Sequence, residues 1–431
     1  MRTTLANIFR QLVDDDVPVG LRAFDGSSFE AREPVGTVVF NSPRAIRYMA
    51  GAPGELGIAR AYVMGDLDVE GDLHATLEAL GAHRRVGVRP RDFVKYAERW
   101  MFRPAPIPPE EAPAAWRRGL IRHTRRRDSV AIQHHYDLPG AFYELMLGPS
   151  MTYSCAVFAS PESTLEEAQI EKVDLICRKL DLQPGQRLLD VGAGWGTLVR
   201  HAASNYGVEA LGVTLSEEQA RWAAEAIESE GLSGRARVLL MDYRELDSST
   251  YDAISSVGAM EHFGTSQLGA HFAAMRERLR PEGRMLNHAI MRADTHSSHR
   301  PGPFIDRYAF PDGELQSLGE VARAMQDSGL EIRHDENLRE HYGMTLREWC
   351  KNLDANWPRA VELVGERRAR AWRLYMTMSR IGFETALIEI HQVLAVRSGS
   401  RGRSGLPLRL DFSRRGSADE HPSGLHPAAQ S

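Results

Sequence analysis

The run LLDVGAGWGT, from Leu188 to Thr197, constrains the fold more than any other stretch. An apolar strand ends at a carboxylate, three glycines follow at alternate positions, and a helix-like segment begins at once. That combination suits the first strand-to-helix turn of a parallel sheet, where the backbone bends sharply and strand ends open a crevice. Further strand candidates are RLLDVG, VEALGVTLS, ARVLLMD, YDAISSVGAM and GRMLNHAIM, with amphipathic helix candidates between them. The order predicts a mostly parallel sheet covered on both faces. Ahead of the first strand, Ser163 with Glu166 has the form of a capping box, and Ile170, Val173, Cys177 and Leu180 recur at helical spacing.

A dinucleotide turn would read G-x-G-x-x-G, with an acid closing the second strand to hold a ribose. Here the glycines are Gly192, Gly194 and Gly196, and the second strand ends in VTLS with no acid. Asp190, two residues before the first glycine, would repel a pyrophosphate and attract an ammonium group. The methionine end of S-adenosylmethionine carries such an ammonium beside a sulfonium. The turn therefore favours S-adenosylmethionine over a nicotinamide cofactor, and glycines that serve packing alone are the bland alternative.

The 431 residues are too many for one ordinary domain. Residues 1–102 mix β-like GTVVFNS with helical DLHATLEALGAH and suggest a smaller N-terminal α+β domain. In RPAPIPPEEAPAAWRRGL, five prolines from Pro104 to Pro113 forbid continuous helix or sheet, so 103–125 reads as a linker. The α/β, doubly wound unit occupies 126–397, and the Ser-, Gly- and Arg-rich stretch 398–431 reads as a disordered tail. Hydrophobic residues at 42% and charged residues at 26% fit a soluble globular chain. No apolar run is long enough to span a bilayer, and MRTTLANIFRQLVDDD lacks the apolar core of a signal peptide. Cys155, Cys177 and Cys350 lie far apart, which argues against a disulfide framework or a metal site and for a reducing cytoplasm. A net charge of -5 argues against nucleic acid as the partner.

Several separate strings, in order, carry a resemblance. They are HHYDLPGAFYELMLGPSMTYSC (His134 to Cys155), LGVTLSEEQ, SSVGAMEHFG (Ser255 to Gly264), MLNHAI (Met285 to Ile290) and EHYGMTLREW (Glu340 to Trp349). Together they resemble the cyclopropane-fatty-acyl-phospholipid synthase family over about 126–396, and more weakly over GELGIARAYVMGDLDVEGDL. The resemblance implies a Rossmann-like class I methyltransferase fold with a seven-stranded sheet. It also implies addition of a methyl carbon from S-adenosylmethionine to a cis double bond of a phospholipid acyl chain. By the same resemblance, Cys155, Glu261, His288, Ile290 and Tyr342 match positions that hold a bicarbonate serving as base. Tyr153, Ser154, Gly192, Gly194, Thr214, Gln219, Asp242 and Tyr243 match cofactor-contacting positions, and Asp190, Trp195, Gly196 and Leu215 are expected to contact the cofactor with them.

Chemistry explains why such residues would be needed. The olefin is itself the nucleophile, so no activated Ser, Cys or Lys is required; the resulting carbocation needs only a well-placed weak base in a dry site. Glu261 beside an anion is unfavourable unless a bicarbonate O–H donates to it. Phe263, Tyr308 and Phe310 would each add on the order of 0.5–2 kcal/mol if they faced the cation. Each residue has a bland alternative: Cys155 a small buried hydrophobe, His288 a satisfied core histidine, Glu261 and His262 a helix start, and Gln219 the capping-box partner of Ser216.

The run WRRGLIRHTRRRDS has six arginines from Arg117 to Arg127; a solvated helix face is the bland alternative, but beside a bilayer substrate it suits anionic headgroups at a membrane surface. FIDRYAFPDGEL and the C-terminal string from Arg368 to Arg397 look more similar to methyl-branching members of the family, which start tuberculostearic acid synthesis, than to ring-forming ones. Expected partners are therefore unsaturated phospholipid acyl chains, a second copy of the chain through its N-terminal unit, and a separate reductase. The expected place is the inner membrane surface of the cytoplasm, in peripheral contact.

Overall fold

The structure, a computed structural model, describes residues 4–83, 91–98, 105–111 and 138–413. The arginine run from Arg117 to Arg127 lies outside the described residues. Two sheets organise the chain. The smaller contains β1 (Val19–Ala23), β2 (Ser28–Phe29), β3 (Gly36–Phe40) and β4 (Leu67–Gly71) in the order β2-β1-β3-β4. GTVVFNS supplies β3, and DLHATLEALGAH forms the helix Leu73–Ala82 with Asp72 accepting from Ala75 N at its N-cap. Val19, Leu21, Val38 and Phe40 pack on Ile8, Ile46 and Tyr48 of the covering helices.

The larger sheet contains β5 (Arg187–Val191), β6 (Glu209–Thr214), β7 (Ala236–Leu240), β8 (Tyr251–Val257), β9 (Leu279–Arg292), β10 (Gln316–Ser317), β11 (Glu331–Asn337) and β12 (Ile388–Val396). Seven strands run in the order β11-β12-β9-β8-β5-β6-β7, and short β10 pairs with β9. β5 to β9 are parallel to one another, whereas β12 is antiparallel to both β9 and β11. All five strand candidates from the sequence are therefore strands, β5 to β9. The chain leaves β5 toward β6 on one side and returns as β8 on the other, so a crevice opens at the carboxyl ends where the order reverses.

Local structure departs from expectation at two places that matter for the site. The capping box before β5 sits one residue later: Thr164 caps the helix Leu165–Leu180 and Glu167 reaches back to the Thr164 backbone. Glu166 instead accepts from Ser150 N at 3.2 Å, and Ser163 Oγ accepts from Ser160 N at 3.1 Å. On that helix Val173, Ile176, Cys177 and Leu180 are buried, but Ile170 is 51% exposed. The buried face is continued toward the N-terminus by Gln169 and Lys172, two polar residues at i−4 from Val173 and Ile176.

The two sheets meet across a shared apolar cluster. Leu56, Tyr62 and Leu73 from the N-terminal part pack with Phe142, Trp195, Phe304 and Trp372. The Arg370 guanidinium crosses the junction, donating to the Tyr62 carbonyl at 2.7 Å and the Leu67 carbonyl at 3.1 Å. Within the expected linker, the described residues 105–111 are docked: the Tyr48 hydroxyl donates to the Pro106 carbonyl at 2.8 Å. Buried Glu111 joins Arg60 at 2.7 Å and Arg307 at 3.1 Å. Proline forbids regular structure there, but it does not forbid an irregular strap held by ion pairs.

The expected disordered tail is likewise corrected up to residue 413. Arg178 Nε donates to the Phe412 carbonyl at 2.7 Å, and the Phe412 ring lies 5.8 Å from Lys179 Nζ and 5.1 Å from the His334 ring. One aromatic side chain and one carbonyl are enough to dock a segment whose average composition is that of a coil; residues 414–431 lie outside the described residues.

Candidate functional site

A cavity opens at the carboxyl ends of β5, β6 and β8, with about 1080 Å3 of empty space including its mouth. Its floor is the glycine turn. Gly192 has φ +81°, and a Cβ there would stand 2.6 Å from the Ala259 Cβ. The backbone N–H groups of Gly192 and Ala193 both donate to the Val213 carbonyl at 3.0 Å, which ties the turn to β6. Gly194, at φ +54°, has open space where a Cβ would project. Gly196 does not line the cavity: it caps the helix Thr197–Tyr206 in the left-handed region and packs against Ala223. Its role is that of the bland alternative, a glycine for close packing.

Apart from Gly196, each cofactor position expected from the sequence lines this cavity: Tyr153, Ser154, Asp190, Gly192, Gly194, Trp195, Thr214, Leu215, Gln219, Asp242 and Tyr243. Asp190 is buried, and the Ser255 hydroxyl donates to it at 2.7 Å. Burial pushes its carboxyl up to about 6, against the opposing pull of that hydrogen bond and of the Lys172 charge. Thr214 donates to Gln219 Oε1 at 2.8 Å, while the Gln219 backbone N–H is capped by Ser216 Oγ at 3.3 Å. Gln219 is thus an N3 residue by its backbone, but its side chain serves Thr214 and the cavity wall. Asp242 is paired with Arg244 at 2.6 Å, and the Tyr243 ring lies 5.2 Å from Phe263 and 4.9 Å from His271. Opposite them, Ser154 Oγ accepts from Lys172 Nζ at 2.7 Å.

The five residues expected to hold a base lie beside this cavity and do not line it. Glu261 follows β8 in a short 3-10 turn, and its Oε1 accepts from Ile290 N at 2.7 Å. Its other oxygen is buried with no partner, and burial pushes the carboxyl up to about 7. His288 stands two residues before Ile290 on β9, fully buried, with both ring nitrogens unpartnered. Burial, reinforced by the charges of Lys172, Lys179 and His391, holds it well below the usual histidine range, so it is a neutral ring. The Cys155 thiol lies within 3.2 Å of the Ala156 carbonyl and 3.7 Å of the Leu338 carbonyl; burial pushes it up and keeps it a thiol. Leu338 N in turn donates to the Ile390 carbonyl at 2.8 Å, Ile390 pairs with Ile290 across β12 and β9, and Tyr342 follows Leu338 by one helical turn. A continuous run of bonds and strand pairs therefore draws Cys155, Tyr342, Ile290 and Glu261 into one neighbourhood, with His288 on the adjoining strand position.

Three side chains in or beside the cavity escaped sequence reasoning. Lys172 looks like an ordinary polar position of an amphipathic helix. Ser255 opens the run singled out for Glu261, but only the β5–β8 pairing of Asp190 with Ser255 brings it to the carboxylate. Tyr375, in the helix Glu366–Glu384, has its hydroxyl 3.1 Å from that of Tyr153 and its ring 5.7 Å from Phe310. Of the aromatics expected around a cation, Phe263 lines the cavity, Phe310 packs on Tyr375, and Tyr308 packs on Phe304 at 5.2 Å near the junction of the two sheets.

The chain matches the family described as mycolic acid cyclopropane synthetase over residues 123–393. It is 45% identical over 403 residues to a protein of Mycobacterium tuberculosis named "Probable fatty acid methyltransferase", spanning 91% of this chain and 94% of that one. It is 36% identical over 279 residues to the cyclopropane-fatty-acyl-phospholipid synthase of Escherichia coli, spanning 65% of this chain and 71% of that one. Among solved structures it resembles mycolic acid cyclopropane synthase CmaA1 complexed with SAH and CTAB, with a TM-score of 0.58 and 35% identity, covering 62% of this chain and 97% of that one.

Proposed function

The chain belongs to the mycolic acid cyclopropane synthetase family of S-adenosylmethionine-dependent enzymes, and we propose that it alkylates the cis double bond of an unsaturated, oleoyl-type phospholipid acyl chain to give a methylene-branched chain, a precursor of 10-methyl fatty acids. One observation carries the reading: beside a cavity in which Asp190, Thr214, Asp242 and Lys172 are each hydrogen-bonded, Glu261 Oε2 and both nitrogens of neutral His288 are buried without partners. Buried polar groups rarely stay unpaired without a ligand to complete them.

S-adenosylmethionine, when bound, supplies a sulfonium methyl group open to attack by an olefin. Asp190 holds a carboxylate for the cofactor's ammonium, Thr214 and Gln219 line the wall beyond β6, and Asp242 with Tyr243 frames the far end. The residues beside the cavity suit a bicarbonate: Glu261 Oε2 would accept its O–H, and His288 and the Tyr342 hydroxyl would hold its remaining oxygens. Neutral His288 favours this assignment, because it offers an N–H without adding a charge that would pair off Glu261. Tyr375, Phe310 and Trp372 keep water from the neighbourhood, so a cation on the acyl chain meets aromatic faces and one base. Proton loss from the added methyl would close a ring; proton loss after a hydride shift would leave =CH2.

The methylene outcome is supported by coverage, since the relative named a fatty acid methyltransferase aligns with 91% of this chain and the phospholipid synthase with 65%. Ring closure by the same residues is the second reading, supported by the family description itself. Among the described residues no helix is long and apolar enough to cross a membrane. We assign the substrate contact to a membrane surface reached peripherally, with Arg117 to Arg127 meeting anionic headgroups, the N-terminal unit as the homodimer contact, and a separate reductase as consumer of the product. The test is mass spectrometry with olefin analysis of lipids from cells expressing the chain. An added =CH2 carbon supports the proposal, a ring supports the second reading, and unmodified lipids overturn both.

A further inference from the structure

Lys172 is 2% exposed and lines the donor cavity, yet no role in the proposed chemistry has been given to it. It occupies the buried face of the helix Leu165–Leu180 at a position where the neighbouring turns place Val173 and Ile176. Burying an ammonium is costly unless charge or hydrogen bonds compensate it. Among the described residues its one hydrogen bond is to Ser154 Oγ at 2.7 Å, which leaves two of three donors unused. Burial lowers it to about 8, and the nearby thiol and Asp190 carboxylate only partly restore it.

Asp190, also buried, lines the same cavity, and its bonded partner is Ser255, not Lys172. No ion pair within 4.0 Å joins the two among the described residues, although each feels the other's charge. The cavity floor thus holds one buried cation and one buried anion that do not neutralise each other by contact. That is the complement of an amino-acid zwitterion. Ser154 sharpens the match: because its oxygen accepts from Lys172, its own hydrogen is left to donate to a second acceptor.

We propose that Lys172, directly and through Ser154, is the positioning residue that recognises the α-carboxylate of the methyl donor, opposite Asp190 and the α-ammonium. The inference rests on the assignment of the cavity to S-adenosylmethionine. Its bland rival is a lysine that merely offsets Asp190 and holds the helix in place.

Calorimetric titration of the full chain with S-adenosylhomocysteine and with its decarboxylated analogue, which keeps the amine and lacks the carboxylate, separates these. The wild-type chain should bind S-adenosylhomocysteine about 10- to 100-fold more tightly than the analogue, as for a charge-assisted bond to a buried group. In Lys172→Met that preference should fall to within about twofold, with affinity for the analogue near the wild-type value; removing one partner of a buried bond erases the discrimination it supplied. Lys172→Gln, which keeps polarity and length, should behave alike and guards against a folding defect in the methionine variant. A preference that survives in both variants overturns the proposal, whether the absolute affinities fall together or stay unchanged. Failure of the wild-type chain to bind S-adenosylhomocysteine at all would instead remove the cofactor assignment on which the proposal stands.

Discussion

The wall of the donor cavity and the neighbourhood beside it are built to opposite rules. In the cavity, Asp190 has Ser255, Thr214 has Gln219, Asp242 has Arg244 and Lys172 has Ser154, each at 2.6–2.8 Å. Beside it, Glu261 keeps one oxygen bare and His288 keeps both nitrogens bare, each fully enclosed. The charged and hydroxyl groups of the first region are paired before a ligand arrives, although Trp195 Nε1 there is buried without a partner; on the proposed reading, a small polar ligand would complete the second. Preorganised dipoles suit recognition of a fixed, charged cofactor, whereas an unsatisfied pair in a dry site stores a demand for a small polar guest.

If that contrast is right, the largest effect of any substitution should come from the incomplete region. Glu261→Gln should cut turnover about 10²- to 10⁴-fold, the range for losing a positioned base, while S-adenosylhomocysteine affinity changes less than about twofold in a parallel titration. Equal losses in both would mean that the two regions are one.

The same carboxyl should burden the fold. Its folded value of about 7 lies above the ordinary 4.5, so its unfavourable contribution is absent below about 4.5, grows as pH rises, and is full above 7. The shift corresponds to about 3 kcal/mol at most. Urea unfolding should therefore find Glu261→Gln more stable than the unsubstituted chain at pH 8, with the gap closing toward pH 5. A variant less stable at pH 8 would show that Glu261 is satisfied after all.

In the donor cavity the expected effects are smaller. Asp190 titrates near 6, so S-adenosylhomocysteine affinity should fall about tenfold as pH drops from 7 to 5, on the scale of one screened charge contact. Asp190→Asn should bind weakly and with a flat profile over that range. The smallest change should follow Tyr375→Phe, which removes the hydroxyl beside Tyr153: turnover falls about two- to tenfold, as for one neutral hydrogen bond, with affinity for the donor product intact. A larger loss of affinity would move Tyr375 from the neighbouring region into the cavity itself.

The contrast also separates what the sequence made legible. The donor turn was readable because its parts are local: strand, carboxylate and glycines stand within ten residues, and φ +81° at Gly192 demands a glycine. Parallel strands β5 to β9 were readable for the same reason, as near-continuous apolar runs between helices. Strand β11, EIRHDEN, was not, because it lies at the sheet edge, half-buried, and carries no apolar alternation. Helix periodicity pointed to Ile170 as a core residue, but the buried face belongs to Lys172, and a buried lysine is invisible until its hydroxyl partner is placed. The residues around Glu261 come from four separated segments, so resemblance to a family named them while spacing alone could not. The orphaned atoms there, and the dependence of Asp190 on Ser255, follow from tertiary packing.

The central claim is that this chain moves a carbon from S-adenosylmethionine onto an acyl olefin. Purified full-length chain, methyl-labelled S-adenosylmethionine and vesicles of oleoyl phospholipid test it in one tube. Label recovered in the acyl chain, with one molecule of S-adenosylhomocysteine formed per carbon added, is the predicted result. Label that stays entirely with the donor, from a preparation that binds S-adenosylhomocysteine normally, would contradict it.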